Sequence, residues 1–177
     1  YTGEDTLSLH DALPIYPNAW RAAVGRWLVP PPVSLAGCAL FARCDEAELK
    51  LLSERMESKS FAAGETIIQT GTSADELFIL ESGTVEVRLR LDGDRHQRLD
   101  VFSSGMSFGE LAFLDGSPRS ADIVAMAPVA CRVISRPFFD SLGEQFPALK
   151  AKILNEIALQ LCDRLRQANI EISALRS

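Results

Sequence analysis

Histidine and cysteine, the side chains that most often hold zinc, are scarce in this sequence. Its 177 residues include two histidines and four cysteines, and no two cysteines are spaced as Cys-x-x-Cys. Zinc sites and disulfide frameworks need several such residues at regular spacings. We therefore expect four reduced thiols, no metal and no cofactor.

Long hydrophobic runs are also missing. No uninterrupted apolar segment approaches the roughly 20 residues that cross a bilayer, and the first residues lack the charged start and apolar centre of a secretory signal. The net charge of -6 disfavours broad non-specific binding to nucleic acid. We expect a soluble, cytoplasmic chain that by itself binds neither membranes nor nucleic acid.

A catalytic set is missing as well. His96 is predicted to lie in a hairpin beside Arg95, where no nucleophile, base and orienting group can be brought together. His10 belongs to residues 6–15, TLSLHDALPI, which resemble a translated frame of a short-read sequencing-library adapter. Segments of that origin are excluded from fold reasoning. We expect residues 1–15 to be non-native and the chain not to be an enzyme.

Residues 16–33 indicate a linker or the remnant of an upstream domain. They carry both tryptophans and end near three consecutive prolines, which cannot continue a helix and favour an extended connection. From Leu35 the apolar spacing becomes helical, and Asp45 stands three residues before Glu48 as in a capping box. The sequence predicts a short helix followed by a longer one.

The pattern changes between Ser58 and Ser135, where short apolar runs are separated by glycines. Within residues 84–91, TVEVRLRL, apolar residues alternate with charged ones, as in a strand with one face in the core. Residues 91–95, LDGDR, supply a hairpin turn. This spacing is typical of a compact antiparallel β structure.

Two helices are predicted after the strands. Ser135 is placed to cap the first, with Pro137 in its first turn, and Phe146 followed by Pro147 marks a break. The second helix begins at about Ala148 and carries an apolar stripe at spacings of three and four. The stripe consists of Ile153, Ile157, Leu161, Leu165 and Ala168.

Residues 108–125, FGELAFLDGSPRSADIVA, form the most specific motif. Phe-Gly-Glu is followed by an aliphatic residue and alanine, a short turn, then Pro-Arg-Ser-Ala and an apolar strand. Together with the glycine and strand pattern of residues 64–87, the motif resembles the phosphate-binding cassette of the cyclic nucleotide-binding domain family. The resemblance covers roughly residues 35–174 and implies that residues 34–177 are one such domain. It implies an α+β fold, in which an antiparallel, jelly-roll-like β-roll of about eight strands is flanked by N-terminal helices and two C-terminal helices.

The residue types of this cassette suit a phosphodiester, which needs fixed positive charge and several N–H donors. By resemblance, Arg119 binds the cyclic phosphate, Glu110 accepts a hydrogen bond from the ribose 2′-hydroxyl, and Ser120 contacts the phosphate or a guanine amine. We expect cAMP slightly ahead of cGMP as the ligand because no threonine follows Arg119. The expected ligand contacts are Gly109, Glu110, Leu111, Ala112, Arg119, Ser120 and Ala121.

The last helix and Asp122 depart from the family pattern. The family covers the base with a residue of the final helix, but that helix has no aromatic residue here. Leu161, Arg164 and Leu165 are the remaining candidates for a base lid. Asp122 brings an acid close to the phosphate, and strand alternation predicts that it turns outward when Arg119 points inward.

Two functions are compatible with these patterns. In the first, a regulatory domain binds the cyclic nucleotide and acts through its C-terminal helices on an upstream effector domain absent from this chain. Residues 119–122 and 164–169 resemble bacterial glutaminases and sulfate-transporter-type proteins that carry such domains, so the parent is expected to be an enzyme or a transporter. In the second, Glu110 and Arg119 form a satisfied ion pair, and the fold is a ligand-free interaction module or homodimer joined through residues 153–165.

Overall fold

The computed structural model describes residues 32–91 and 95–174. Three sequence-based expectations lie wholly or largely outside the described residues. These are the non-native segment over residues 1–15, the linker over residues 16–33, and the centre of the turn at residues 91–95. The domain boundaries assigned from the sequence therefore stay predictions.

Helical turns open the described chain. Two 3₁₀ turns, Leu35–Gly37 and Ala39–Phe41, precede helix α1, Glu46–Arg55. Asp45 accepts a hydrogen bond from the Glu48 N–H, and the Glu48 carboxylate accepts one from the Asp45 N–H, each at 2.9 Å. This reciprocal pair satisfies two donors that the start of a helix leaves without partners. The predicted capping box is confirmed.

Eight strands and three further helices follow α1. Ser135 caps the second of these helices by accepting a hydrogen bond from the Phe138 N–H, and Pro137 lies in its first turn as predicted. The helices are α2 (Glu110–Asp115), α3 (Arg136–Gln145) and α4 (Pro147–Ala174). The strands are β1 (Glu57–Phe61), β2 (Thr66–Ile68), β3 (Glu76–Ser82), β4 (Thr84–Arg90), β5 (His96–Ser103), β6 (Ser107–Phe108), β7 (Asp122–Ala125) and β8 (Val129–Ser135).

The strands form two antiparallel, four-stranded sheets with the orders β1-β8-β3-β6 and β2-β7-β4-β5. Residues of both sheets share one core, to which the first sheet contributes Phe78 and Phe108 and the second contributes Val85 and Phe102. The rings of Phe78 and Phe108 are stacked with their centroids 5.2 Å apart, and the Phe102 ring lies 6.5 Å from Phe108. Because Phe108 is the first residue of the cassette motif, these stacked rings connect the roll core to the cassette.

A second core lies between the helices and the first sheet. Ile153 and Ile157 of α4 are 0% and 1% exposed and belong to one cluster with Ile79 of β3 and Phe139 of α3. Leu165, further along the same stripe, is 64% exposed. The alternative in which the whole stripe contacts a partner is therefore wrong for its first half, which the domain itself buries.

Charged contacts tie the N-terminal helical turns to α4. Lys152 donates to Glu48 at 2.7 Å, and Arg43 pairs with Glu156 at the same distance. The hydrogen bond from Lys152 to Glu48 raises the pKa of the Lys152 amine, which therefore stays charged. Partly exposed pairs contribute little to stability singly, so their main effect is to orient α4.

The predicted α+β fold is confirmed. The described residues contain eight antiparallel strands in two sheets, helical segments before them and two helices after them. None of the helices among these residues combines the length and apolar character that crossing a membrane requires.

Ile153→Ala tests whether α4 belongs to the core of this domain. We expect the free energy of unfolding, measured by urea denaturation, to fall by about 2–5 kcal/mol because the substitution leaves a cavity in a closed core. Leu154→Ala is the matched control, since the neighbouring Leu154 is 38% exposed. It should cost less than about 1 kcal/mol, and equal effects of the two substitutions would contradict the packing.

Candidate functional site

An open pocket of about 440 Å³ lies between the cassette, the second sheet and α4. One wall comes from the first turn of α2 and the loop that precedes β7. Strands β2, β4, β5 and β7 supply a second wall, and the C-terminal half of α4 supplies a third. Three separate parts of the chain therefore meet at this site.

Arg119 lines the pocket although only 6% of the residue is exposed. Its Nη1 donates to the Gly109 carbonyl and its Nη2 to the Glu76 carbonyl, each at 2.6 Å. Burial lowers the pKa of this guanidinium, and the charges of Glu76, Asp75 and Glu110 partly oppose that effect. An arginine stays protonated under such conditions. Among the described residues no carboxylate lies within ion-pair distance of it. The two carbonyls therefore orient the guanidinium, but no carboxylate pairs with its charge.

Main-chain contacts fix the loop that carries Arg119. Its N–H donates to the Thr72 carbonyl at 3.0 Å, and its carbonyl accepts from the Gly71 N–H at 2.8 Å. Gly109 adopts a φ of 82°, a left-handed conformation that glycine tolerates best. A Cβ at Gly109 would lie 2.7 Å from Arg119 Nη1. Glycine at this position therefore allows the guanidinium to approach the main chain.

Glu110 pairs with an arginine from far along the chain. Arg164 of α4 donates through Nη1 to Glu110 Oε1 at 2.6 Å and through Nη2 to the Ser107 carbonyl at 2.8 Å. The Arg164 guanidinium also lies 4.5 Å from the centre of the Phe102 ring. Because Glu110 is only 5% exposed, this charge-assisted bond is sheltered from water and holds α4 against the cassette.

The two charges of the cassette therefore do not neutralise each other. Glu110, the first residue of α2, faces Arg164, whereas the guanidinium of Arg119 is turned towards two main-chain carbonyls. The alternative in which Glu110 and Arg119 form a satisfied ion pair is wrong for this reason. An arginine without a carboxylate partner beside an open pocket is suited to bind an anion.

The structure brings the expected cassette contacts together and separates the expected lid residues. Arg164 lines the pocket, whereas Leu161 packs towards the helical core and Leu165 lies outside the lining. Successive positions of a helix face different directions, which explains the difference. All seven residues expected from the cassette line the pocket: Gly109, Glu110, Leu111, Ala112, Arg119, Ser120 and Ala121.

Sequence reasoning missed several further lining residues. Gln167 and Ala168 follow Arg164 by three and four positions, a helical spacing from which they could have been inferred. No local signal pointed to the residues of the second sheet, which reach the pocket through strand pairing. These are Ile68, Leu99, Asp100 and Ile123, and Val87 and Phe102 of the same sheet line the pocket as well.

Asp122 lies outside the pocket lining but does not face solvent. It is 9% exposed, and its Oδ1 accepts a hydrogen bond from the Thr70 N–H at 2.6 Å. Burial alone would raise the pKa of Asp122, but the hydrogen bonds from Thr70 and the charges of Arg90 and His96 outweigh burial and lower it. Asp122 thus points away from the pocket, as strand alternation predicts, but it is buried against Thr70 and His96 and does not reach solvent.

The cysteines among the described residues form no disulfide, and two of them lie in the core. All four cysteines are unpaired. Burial raises the pKa of Cys38 to about 11 and that of Cys131 to about 12, which keeps both thiols protonated and unreactive. Across residues 32–91 and 95–174, no group of three or more histidine, cysteine, aspartate or glutamate side chains could hold a metal ion.

This arrangement defines a class of protein: a β-roll domain with a buried arginine beside an open pocket. Residues 58–146, about half of the chain, match the model of the cyclic nucleotide-binding domain family. The chain belongs to this family, whose domains are regulatory and bind cAMP or cGMP.

The chain is similar to parts of larger proteins. Glutaminase 2 of Bradyrhizobium diazoefficiens is 35% identical over 147 residues, which are 83% of this chain and 23% of that protein. The cAMP-dependent protein kinase regulatory subunit of Blastocladiella emersonii is 32% identical over 106 residues, 60% of this chain and 26% of the subunit. The chain thus spans about a quarter of the length of these relatives. The solved catabolite activator protein of Thermus thermophilus is 26% identical, with a TM-score of 0.67 over 77% of this chain and 62% of that one.

A double-mutant cycle tests the contact between α4 and the cassette. Unfolding of Arg164→Met, Glu110→Gln and the double variant should give a coupling energy of about 0.5–3 kcal/mol, because the pair is sheltered and hydrogen-bonded. The matched control is the cycle of Arg166→Met and Asp163→Asn on the same helix, whose side chains are 72% and 75% exposed. Its coupling should be near zero, and equal coupling in both cycles would contradict a sheltered pair.

Proposed function

We propose that this domain binds a purine 3′,5′-cyclic nucleotide in the pocket, with cAMP preferred over cGMP, and that the ligand controls the position of α4. The cyclic phosphate binds Arg119, and the ribose 2′-hydroxyl donates to Glu110. The observation that carries the proposal is the buried guanidinium of Arg119, which borders the pocket without a carboxylate partner among the described residues.

A phosphodiester would supply the negative charge that the buried guanidinium of Arg119 lacks. Removing a charge from water is costly unless an opposite charge or strong hydrogen bonds compensate. The two carbonyls at Gly109 and Glu76 orient the guanidinium, and an anion would supply the charge that they lack. The N–H groups of the first turn of α2 point out of the helix without intrahelical partners and add donors on the same side.

The carboxylate of Glu110 can accept a hydrogen bond from a ribose hydroxyl. Arg164 occupies part of its accepting capacity through Oε1. An ionised carboxylate accepts hydrogen bonds at about four positions and donates none. A ribose 2′-hydroxyl can therefore bind Glu110 either beside Arg164 or in its place.

If the 2′-hydroxyl takes the place of Arg164 on Glu110, ligand binding is connected to the position of α4. Arg164 contacts Glu110, Ser107 and Phe102 at once, so a ligand that changes its bond to Glu110 changes what holds the helix. By linkage, the position of α4 must then change the affinity for the ligand by the same factor. The similarity to a glutaminase and to a kinase regulatory subunit supports an effector elsewhere in a longer protein or complex.

One observation supports the interaction module as a second candidate. The C-terminal half of α4 exposes apolar side chains, and a second copy of the chain could cover them. They are Leu165, Ile170 and Ile172. Pairing through this half and nucleotide binding use different surfaces, so both functions are compatible.

Titration calorimetry of the full chain with cAMP and cGMP tests the proposal. Arg119→Ala should weaken binding by at least about 30-fold, because it removes a desolvated cation from the phosphate. Arg119→Lys keeps the charge but loses the planar fork and should bind with intermediate affinity.

Arg166→Ala is the control for this titration, because it removes one positive charge from the exposed face of α4. We expect its affinity to stay within about twofold of the unmodified chain. If neither nucleotide binds at millimolar concentration, the binding function is refuted and the interaction module takes its place.

The 2′-deoxy analogue of cAMP tests the role of Glu110. It should bind the unmodified chain about tenfold or more weakly than cAMP, because a hydrogen bond to a buried carboxylate is lost. In Glu110→Gln the difference between the two ligands should shrink, whereas the surface change Asp163→Asn should leave it intact. An undiminished difference in Glu110→Gln would exclude Glu110 as the acceptor.

A further inference from the structure

A second cavity of about 640 Å³ lies at the C-terminal end of α2. The loop between β2 and β3 forms one wall, the loop between α2 and β7 forms another, and the first residue of α3 forms a third side. This cavity shares no lining residue with the pocket at Arg119. It is therefore a separate candidate site for a ligand.

Arg136 supplies the positive charge of the second cavity. It is the first residue of α3, where the helix dipole disfavours a cation. Other contacts hold it there: its guanidinium lies 4.4 Å from the centre of the Phe113 ring and donates through Nη2 to the Phe113 carbonyl. Its main-chain N–H donates to the Asp75 carbonyl at 2.8 Å. The guanidinium is thus fixed beside the cavity while most of its N–H donors are left for a ligand.

Two carboxylates line the same cavity. Asp115 is the last residue of α2, and its Oδ1 accepts a hydrogen bond from the Ser117 N–H at 2.8 Å. Asp75 precedes β3, and its carboxylate has no hydrogen bond or ion pair with another described residue. Among the described residues neither carboxylate lies within ion-pair distance of Arg136. The cavity therefore presents one cation and two anions that are held apart.

This set of separated charges favours a ligand that carries both signs. A simple anion would be attracted by Arg136 but repelled by the two carboxylates, and a simple cation would meet the opposite conflict. The fork of an arginine matches a carboxylate, with which it can form two parallel hydrogen bonds. An ammonium group donates three hydrogen bonds and accepts none, which suits carboxylate acceptors. A ligand with one carboxylate and one ammonium group satisfies all three side chains.

We propose that the second cavity binds a free amino acid as its zwitterion. The carboxylate of the ligand binds the guanidinium of Arg136, and its ammonium group donates to Asp75 and Asp115. Leu114, which is 37% exposed, and Pro118 offer apolar surface to the side chain of the ligand. The inference goes beyond the proposed function, because none of these groups lines the nucleotide pocket.

Thermal unfolding of the full chain without nucleotide, in the presence of each common α-amino acid in turn, tests this site. We expect at least one amino acid to raise the midpoint of unfolding, because a ligand that binds only the folded chain stabilises it. Calorimetric titration of that amino acid should give a dissociation constant of about 1 mM or lower. Its amide, which lacks the carboxylate, and its N-acetyl derivative, which lacks the ammonium group, should each bind at least about fivefold more weakly.

Variants at the three charged positions assign the contacts. Arg136→Met should weaken binding of the amino acid by at least about tenfold, because it removes the fork that binds the carboxylate. Arg136→Lys keeps the charge without the fork, should give an intermediate affinity, and replaces Arg136→Met if the latter does not fold. The double variant Asp75→Asn, Asp115→Asn should weaken the amino acid but not its N-acetyl derivative, which has no ammonium group to lose.

Arg55→Met is the matched control for Arg136→Met. The Arg55 guanidinium also lies over an aromatic ring, 5.7 Å from the centre of Phe138, but Arg55 does not line the second cavity. The control removes the same charge and a similar ring contact, so the affinity for the amino acid should stay within about twofold of the unmodified chain.

Three outcomes would overturn the inference. In the first, no amino acid binds at millimolar concentration. In the second, the N-acetyl derivative binds as tightly as the amino acid, which would leave a carboxylate site and exclude a zwitterion. In the third, binding is lost in Arg119→Ala but not in Arg136→Met, which would place the amino acid in the nucleotide pocket. Because these measurements contain no cyclic nucleotide, they leave the proposed function to its own titrations.

Discussion

Arg119 is a buried cation that the domain orients with main-chain carbonyls, and the surrounding structure is arranged to permit this. Gly109 has no side chain where the guanidinium approaches, and Gly71 and Thr72 hold the loop through the main chain. The carbonyl of Glu76 comes from β3, a central strand of the first sheet. Burying a charge without a counter-ion costs free energy. A bound anion would offset part of that cost, so ligand binding and domain stability are linked.

Arg164 has the opposite role, because it is neutralised by Glu110 and faces the same pocket from another element. Helix α4 is anchored in the core by Ile153 and Ile157, while its C-terminal half is largely exposed. Between these regions, Arg164 connects the helix to the cassette and to the ring of Phe102. In the proposed function, a change at the ligand would therefore act on the exposed half of α4 without disturbing the half that the core holds.

Local patterns were sufficient to predict much of this architecture and the cassette, whereas contacts between distant residues were not. The capping box joins Asp45 and Glu48, which are only three positions apart, so its geometry follows from helix formation alone. The partner of Glu110 is 54 residues away on another element, and only the packed fold decides which arginine reaches it. Strand β5 also contains a bulge at Leu99, which is equally hidden because it is defined by the register with β4 and not by the sequence of β5.

The charged groups of the pocket favour different ligand groups: Arg119 favours an anion, and Glu110 favours a hydrogen-bond donor. One ligand has to supply both. Inorganic phosphate would satisfy Arg119 but leave the accepting capacity of Glu110 unused, while a neutral nucleoside would do the reverse. With a net charge of -6, the protein as a whole does not attract anions, so attraction has to come from groups within the pocket. A cyclic nucleotide carries an anion, a hydroxyl and a base in a fixed order. The selectivity that we propose therefore comes from the placement of Arg119 and Glu110 in one pocket more than from the total charge.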